Sequence, residues 1–304
     1  MRIIIAGGTG LIGRALAREL YSGGHEVLVL SRNPQTVTEI TGAHLVQWDG
    51  RTPHGWGRLV DEAGAVVNLA GASIGGGRWT KARKASIEIS RVEAGQAILD
   101  AINQAARHPM MVLQASAIGY YGVTGEQTIT EHSPAGEDFL AQVCVAWEGA
   151  TKAVADLGVR HVITRSGLVV SKKGGFMDPV LLQYRLFGGG RLGNGRQWWS
   201  WIALRDEVRA LRFLIENEHA SGAYNLTAPE PARMSDFGRA VASVLRRPHF
   251  LPIPAFALKL VLGEMSQLVL GSQRIVPERL LAAGFLFQFS DLKQALQAEL
   301  LGSA

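Results

Sequence analysis

The chain has one cysteine, Cys144, in 304 residues. A single thiol excludes an internal disulfide and fits a reducing compartment. It sits in an apolar helical stretch and reads as a buried thiol rather than a nucleophile. Long apolar runs are also missing. The most apolar late segment, Ala255 to Leu270, is broken by Lys259, Gly263 and Glu264, which excludes a membrane span there. Charge of one sign does not accumulate: the formal net charge is +5. The clusters Lys81, Arg83, Lys84 and Lys172, Lys173 are short, either solvated faces or the edge of a basic ligand pocket. The histidines are scattered and no Cys/His group has metal-ligand spacing, so no metal site is expected. Neither nucleic acid nor membrane is an expected partner. A strand beginning at Arg2 leaves no room for a signal peptide, and a cytoplasmic protein is expected.

Glycine, by contrast, is plentiful at 36 residues. Its placement in the first thirty-two residues organises the chain. Arg2 to Ala6 is a β-branched apolar run that suits a buried strand. Gly7-Gly8-Thr9-Gly10-Leu11-Ile12-Gly13 follows, and Leu11, Ile12, Ala15, Leu16 and Leu20 recur at helical spacing. Glu26 to Leu30 starts a second strand. Glycines at 7, 10 and 13 between strand and helix allow a tight turn, close approach of a pyrophosphate and close packing of the helix. Free amides at the helix start, with its dipole, favour an anion. A merely structural turn is the competing reading. The second strand ends in Ser31-Arg32, where an NAD-binding chain would carry an Asp or Glu for the ribose. A guanidinium and a hydroxyl there would hold a 2′-phosphate; otherwise Arg32 is a solvated surface residue.

Further strands are expected at His44–Gln47, Ala65–Leu69, Met110–Ser116 and Arg160–Thr164, with helices at about 80–106 and 137–156 between them. This alternation predicts an α/β fold, a Rossmann doubly wound parallel sheet. Asp49 would either meet an adenine amino group or serve a turn. In the second half, Gly188 to Gly195 reads as a hairpin turn, with a ligand-approaching loop as the alternative. Gln197 to Ile202 reads as one strand carrying three tryptophans. A helix at about 204–217 and a strand at Ala223–Leu226 follow. Ser235 is expected to cap a helix from Asp236 to Arg246, and Ser290 one from Asp291 to Leu300. Pro277 is expected to open a helix that Gly284 closes. These late pieces look too few to form a core alone. The expected organisation is a nucleotide-binding domain at 1–228, with cap segments from about 172–196, and a small, mostly helical C-terminal cap at 229–304.

These motifs resemble an atypical extended short-chain dehydrogenase/reductase, and more narrowly a YfcH-like NAD(P)-dependent epimerase/dehydratase family protein. The resemblance rests on Gly7-Gly10-Gly13, Asn68-Leu69-Ala70-Gly71, Ser116 with Tyr120-Tyr121-Gly122, Glu131-x-Ser133-Pro134, Trp147-Glu148, Arg165-Ser166-Gly167 and Ile275-Val276-Pro277. It implies NADP(H), held at Thr9, Gly10, Leu11 and Ile12, at Ser31 and Arg32, at Leu69 and Ala70, at Arg91 and at Val169. Arg91 is alternatively a helix-surface charge. Typical members use a Tyr-x-x-x-Lys pair: the tyrosine exchanges a proton with the substrate, and the lysine lowers its pKa. No such pair occurs in this chain. Its place falls near Val143 and Trp147, which cannot do the job. Tyr121, Ser116 and Glu148 remain as candidates for proton transfer, each with a structural alternative. For Glu148 that alternative is a solvent-facing acid or a pair with Lys152. Tyr121 is expected to keep a pKa near 10. Two functions stand open: an NADP(H)-dependent oxidoreductase or epimerase acting on a small molecule, or a catalytically degenerate NADP(H)-binding regulatory or partner-binding protein. The resemblance also implies a homodimer through the long helices.

Overall fold

A computed structural model describes residues 1–302. Its first half follows the apolar periodicity closely. Strand β1 (Arg2–Ala6) leads through the glycine turn into helix α1 (Leu11–Ser22), and β2 (Glu26–Ser31) and β3 (Ala43–Gln47) follow. Strand β4 (Ala63–Asn68) precedes the long helix α2 (Lys81–Gln104), whose first turn is capped by Thr80 accepting from the Arg83 amide. Next come β5 (Met111–Ala117), the short β6 (Thr128–Ile129), α3 (Phe139–Gly149) and β7 (Arg160–Ser166). The expected helix over 137–156 is therefore two pieces, α3 and a 3-10 segment at Lys152–Leu157.

The second half is more broken. It comprises β8 (Leu168–Val170), α4 (Met177–Arg185), β9 (Trp198–Trp199), β10 (Trp201–Ala203), α5 (Leu204–Glu216) and β11 (Gly222–Leu226). After these come β12 (Ala232–Arg233), α6 (Met234–Leu245), α7 (Ala255–Leu262), α8 (Gln267–Leu270), β13 (Arg274–Ile275), α9 (Glu278–Ala282) and α10 (Leu292–Leu301).

Seven strands form one sheet in the order β11-β7-β5-β4-β1-β2-β3. All its pairings are parallel. Both faces are covered, which is why β1, β2 and β4 are almost continuously apolar. Helices α1 and α5 bury Leu16, Leu20, Leu211 and Leu214 on one face. On the other face α2 buries Ala94, Ala97 and Ile98 together with Trp48 and Trp56. From β1 the chain runs outward through β2 and β3 on one side, then crosses back to β4 on the other side of β1. The crevice at this reversal, beyond the strands' carboxyl ends, is where such sheets bind ligands.

Four sequence expectations need correction. Gly188 to Gly195 is not a hairpin. The loop runs beside 250–253: Gly189 O accepts from the amides of Phe250 and Leu251, Arg191 O accepts from Ile253 N, and Leu192 bridges Ile253 in parallel. The tryptophan run is two strands, because it changes partner at Ser200. Strand β9 pairs β12, β10 pairs β8, and the Ser200 hydroxyl bonds the main chain of Gln273 and Ile275 instead. Helix α6 starts at Met234 without Ser235 as its cap. The amides of Met234 and Ser235 donate to Gln197 O and Gly195 O, so main-chain carbonyls do the work of a hydroxyl. The last helix is capped by Asp291, which accepts from Gln294 N at 2.8 Å, not by Ser290. Helix α9 begins just after Pro277 as expected, and Gly284 follows it at φ +86°.

The late pieces also form a core after all. Tyr184, Trp199, Trp201, Phe237, Val241 and Leu296 pack together, apart from the sheet's own core. Aromatic bulk explains this: three edge-to-face contacts join Phe176, Trp199 and Phe237.

Candidate functional site

A cleft of about 630 Å³ opens at the β1/β4 reversal. Gly7, Thr9, Gly10, Ser31, Arg32, Leu69 and Ala70 all line it. Gly7 has φ +79°, and a Cβ there would stand 2.6 Å from the Leu69 main chain, so only glycine closes β1 against β4. A Cβ on Gly13 would meet Gly7 O at 2.4 Å, which fixes how closely α1 packs down. Gly10 is different. It has φ −77°, and a Cβ would find its nearest protein atom 3.4 Å away. Nothing in the protein requires glycine there, and a side chain would project into the cleft. Helix α1 has no side-chain cap and no acid in its first turn, so its leading amides face the cleft unclaimed by side chains. Such an arrangement can receive an anion.

At the other end, Arg32 is exposed and lines the cleft beside Gly50 and Arg51. Arg51 pairs with Glu93 at 3.1 Å. Among the described residues no carboxylate pairs with Arg32. Asp49 also lines the cleft, but its carboxylate accepts from the Arg51 and Thr52 amides and the Thr52 hydroxyl. Burial would raise its pKa, and these hydrogen bonds overcome that and hold it below the ordinary value. It serves the turn. Leu11 and Ile12 sit half-buried in the first turn of α1, and Val169 is half-buried on β8 against the core. None of these three lines the cleft.

A second, smaller cavity of about 160 Å³ lies beyond β5 and β7, closed by Gln267, Leu268, Gly271 and Gln273 from the C-terminal segment. Its wall includes Arg91, Val143, Cys144, Trp147, Ser166 and Trp198. Val143 and Trp147 are one helical turn apart on α3, so both places where a Tyr-x-x-x-Lys pair was sought do face a cavity, with apolar side chains. Arg91 is buried rather than a surface charge. Its guanidinium lies 4.7 Å from the Trp147 ring and donates to Ala72 O and Ile87 O. The Cys144 thiol is pushed up to about 11 by burial, which makes it inert at neutral pH.

The three catalytic candidates are brought together, but none lines either cavity. Arg165 grips Glu148 through two bonds of 2.8 and 2.9 Å. Ser116 Oγ donates to the same carboxylate at 2.7 Å. The Tyr121 hydroxyl donates to Asn225 Oδ1 at 2.7 Å and accepts from Arg165 Nη1 at 2.9 Å. All four side chains are buried. Tyr121 departs from expectation: burial pushes its phenol up to about 12, although Arg165 pulls the other way. Glu148 neither faces solvent nor pairs with Lys152. The network ties β5, α3, β7 and β11 together, and none of its members lines the second cavity.

Sequence reading missed Glu207. It lies in the first turn of α5, 1% exposed, and its Oε1 is 2.6 Å from the hydroxyl of Ser166, which lines the second cavity. Its Oε2 has no partner among the described residues. Burial pushes the carboxyl up to about 8, with only the Ser166 bond opposing. The signal was present: Glu207 falls three residues after Leu204 and four before Leu211, on the buried stripe of α5.

The sequence matches the NAD dependent epimerase/dehydratase family over residues 3–227 and a domain of unknown function (DUF1731) over 253–299. The Epimerase family protein YfhF of Bacillus subtilis is 40% identical over 299 residues, 97% of each chain. The human epimerase family protein SDR39U1 (isoform 2), solved with NADPH, superposes with a TM-score of 0.86 at 31% identity, over 98% of this chain and 99% of that one. A nucleoside-diphosphate sugar epimerase from Corynebacterium glutamicum gives 0.79 at 32% identity, over 99% of this chain and 58% of that one.

Proposed function

From the premise that this chain belongs to the NAD-dependent epimerase/dehydratase family, we propose that it is an NADP(H)-dependent oxidoreductase or epimerase whose proton donor is Ser166, backed by Glu207. The observation that carries the cofactor choice is Arg32, free of any carboxylate among the described residues, at the end of β2 in the cleft. A 2′-phosphate suits that guanidinium; an NAD ribose would want an acid there. The structure of human SDR39U1 with NADPH supports the same choice. The leading amides of α1 and the open space at Gly10 would receive the pyrophosphate.

When bound, the nicotinamide would supply the hydride. The chain's own part is to enclose the substrate and move the proton. Arg91, Trp147 and Trp198 give the second cavity an aromatic and cationic wall for a small molecule. Ser166 Oγ donates to Glu207 Oε1; with Glu207 uncharged, that hydroxyl can turn to donate to an oxygen in the cavity while it accepts from the Glu207 carboxyl. As that oxygen takes the serine proton, Glu207 replaces it and is left as a carboxylate. Such a relay favours reduction at neutral pH and fails above about pH 8, where Glu207 ionises.

The sealing of Tyr121, Ser116 and Glu148 into one buried network favours a second reading, an NADP(H)-responsive binding protein without turnover. A panel of carbonyl compounds with NADPH separates the two. Turnover that Glu207→Gln and Ser166→Ala lower at least about tenfold, with NADPH affinity unchanged, supports the relay. Turnover insensitive to both removes it. Tight NADPH binding with no consumption across the panel supports the binding protein.

A further inference from the structure

Away from both cavities the molecule carries an exposed apolar face. Leu186, Phe187, Phe250, Phe256, Leu260 and Val261 are each between 56% and 75% exposed. The loop after α4 is laid along the segment before α7 by the bonds from Phe250, Leu251 and Ile253 to Gly189 and Arg191. The Arg247 guanidinium covers the Phe187 ring at 4.6 Å. Helix α7 begins at Ala255, packs a half-buried Leu258 against the second core and turns Phe256, Lys259 and Leu260 outward.

The charged residues on the two segments that carry this face have one sign. Between Asp178 and Asp206, and again between Asp236 and Glu264, the sequence has no carboxylate. Within those stretches Arg185, Arg191, Arg246, Arg247 and Lys259 are exposed, and none is in an ion pair among the described residues. Glu264, the next acid, is taken by Lys84. Apolar side chains standing out among unpaired cations suit an interface with acyl chains below and phosphates above. A second copy of the chain suits it poorly, because a two-fold contact would set arginines against arginines. None of the six apolar residues lines the cleft or the second cavity, so the face offers side chains to a flat partner rather than a groove to a peptide.

We propose that this face docks on an anionic lipid bilayer, with Phe256 and Leu260 entering the acyl boundary and Arg247 and Lys259 meeting headgroup phosphates. The described residues include no helix long and apolar enough to cross a membrane, and peripheral docking requires none.

Co-sedimentation of the full chain with vesicles tests this. Binding is expected to vesicles of phosphatidylcholine mixed with phosphatidylglycerol, not to phosphatidylcholine alone, and to be released by high salt. The double variant Phe256→Ser/Leu260→Ser, and separately Arg247→Glu/Lys259→Glu, should each lower the bound fraction at least about tenfold. All four side chains are exposed, so the melting temperature should stay near that of the parent; a shared melting temperature assigns the loss to the surface. Absence of binding to the anionic vesicles at low salt overturns the proposal. Equal binding to both vesicle types overturns the role of the cations. A dimer in solution that Phe256→Ser/Leu260→Ser abolishes gives the face to a second copy and likewise overturns it.

Discussion

At the scale of single residues, the most informative group is Glu207. A carboxyl buried with one hydroxyl for company is held neutral by the cost of burying its charge. That makes it a liability for the fold as pH rises. The unfolded chain releases this proton near the ordinary value of 4.5, the folded chain only near about 8. Between those values the folded state binds more protons than the unfolded state, so stability falls with increasing pH and then levels off. Glu207→Gln removes that loss. Its melting temperature should match the parent near pH 4.5 and rise above it toward pH 8, a gain on the order of 4 kcal/mol at the upper end. Parallel melting curves across that range would mean that Glu207 is ionised in the fold. Arg32 differs in being legible from the sequence: its position just after an apolar strand was enough to place it at the cleft, where it lies.

At the scale of elements, the sheet was legible because most of its strands are short apolar runs bounded by glycine or polar turns, and because α1 and α2 carry apolar residues at helical spacing. The cleft was legible for the same reason: Gly7, Thr9, Gly10, Ser31, Arg32, Leu69 and Ala70 all sit at the ends of three strands, β1, β2 and β4. What stayed hidden depended on tertiary pairing. Nothing local announces that Gly188 to Gly195 lies along Phe250, that Ser200 switches sheet partners, or that Tyr121, Glu148 and Arg165 meet from three elements. The same holds for the second core, whose tryptophans and phenylalanines come from four distant segments. The Arg165 network makes a prediction at this scale. Arg165→Ala strands a buried Glu148 carboxylate and leaves Tyr121 half-satisfied, so it should cost about 3–5 kcal/mol in urea unfolding. A loss within experimental error of a surface substitution would show that the network does not tie β5, α3, β7 and β11 together.

At the scale of the whole molecule, the larger cleft opens at the β1/β4 reversal and the smaller cavity lies beyond β5 and β7. In the proposed function the cleft's amide end would serve NAD and NADP alike, and the Arg32 end would discriminate between them. A ligand that binds the folded state alone raises its stability by about 2.7 kcal/mol at a hundred times its Kd, which makes cofactor choice readable both by calorimetry and by melting. The decisive measurement is a calorimetric titration of the parent protein and Arg32→Ala with NADPH and with NADH. The account predicts that the parent binds NADPH at least about tenfold more tightly than NADH. It also predicts that Arg32→Ala loses about 1.5–3 kcal/mol of NADPH binding while NADH binding barely changes. NADH binding as tightly as NADPH, or equal losses for both on removing the Arg32 side chain, would contradict it.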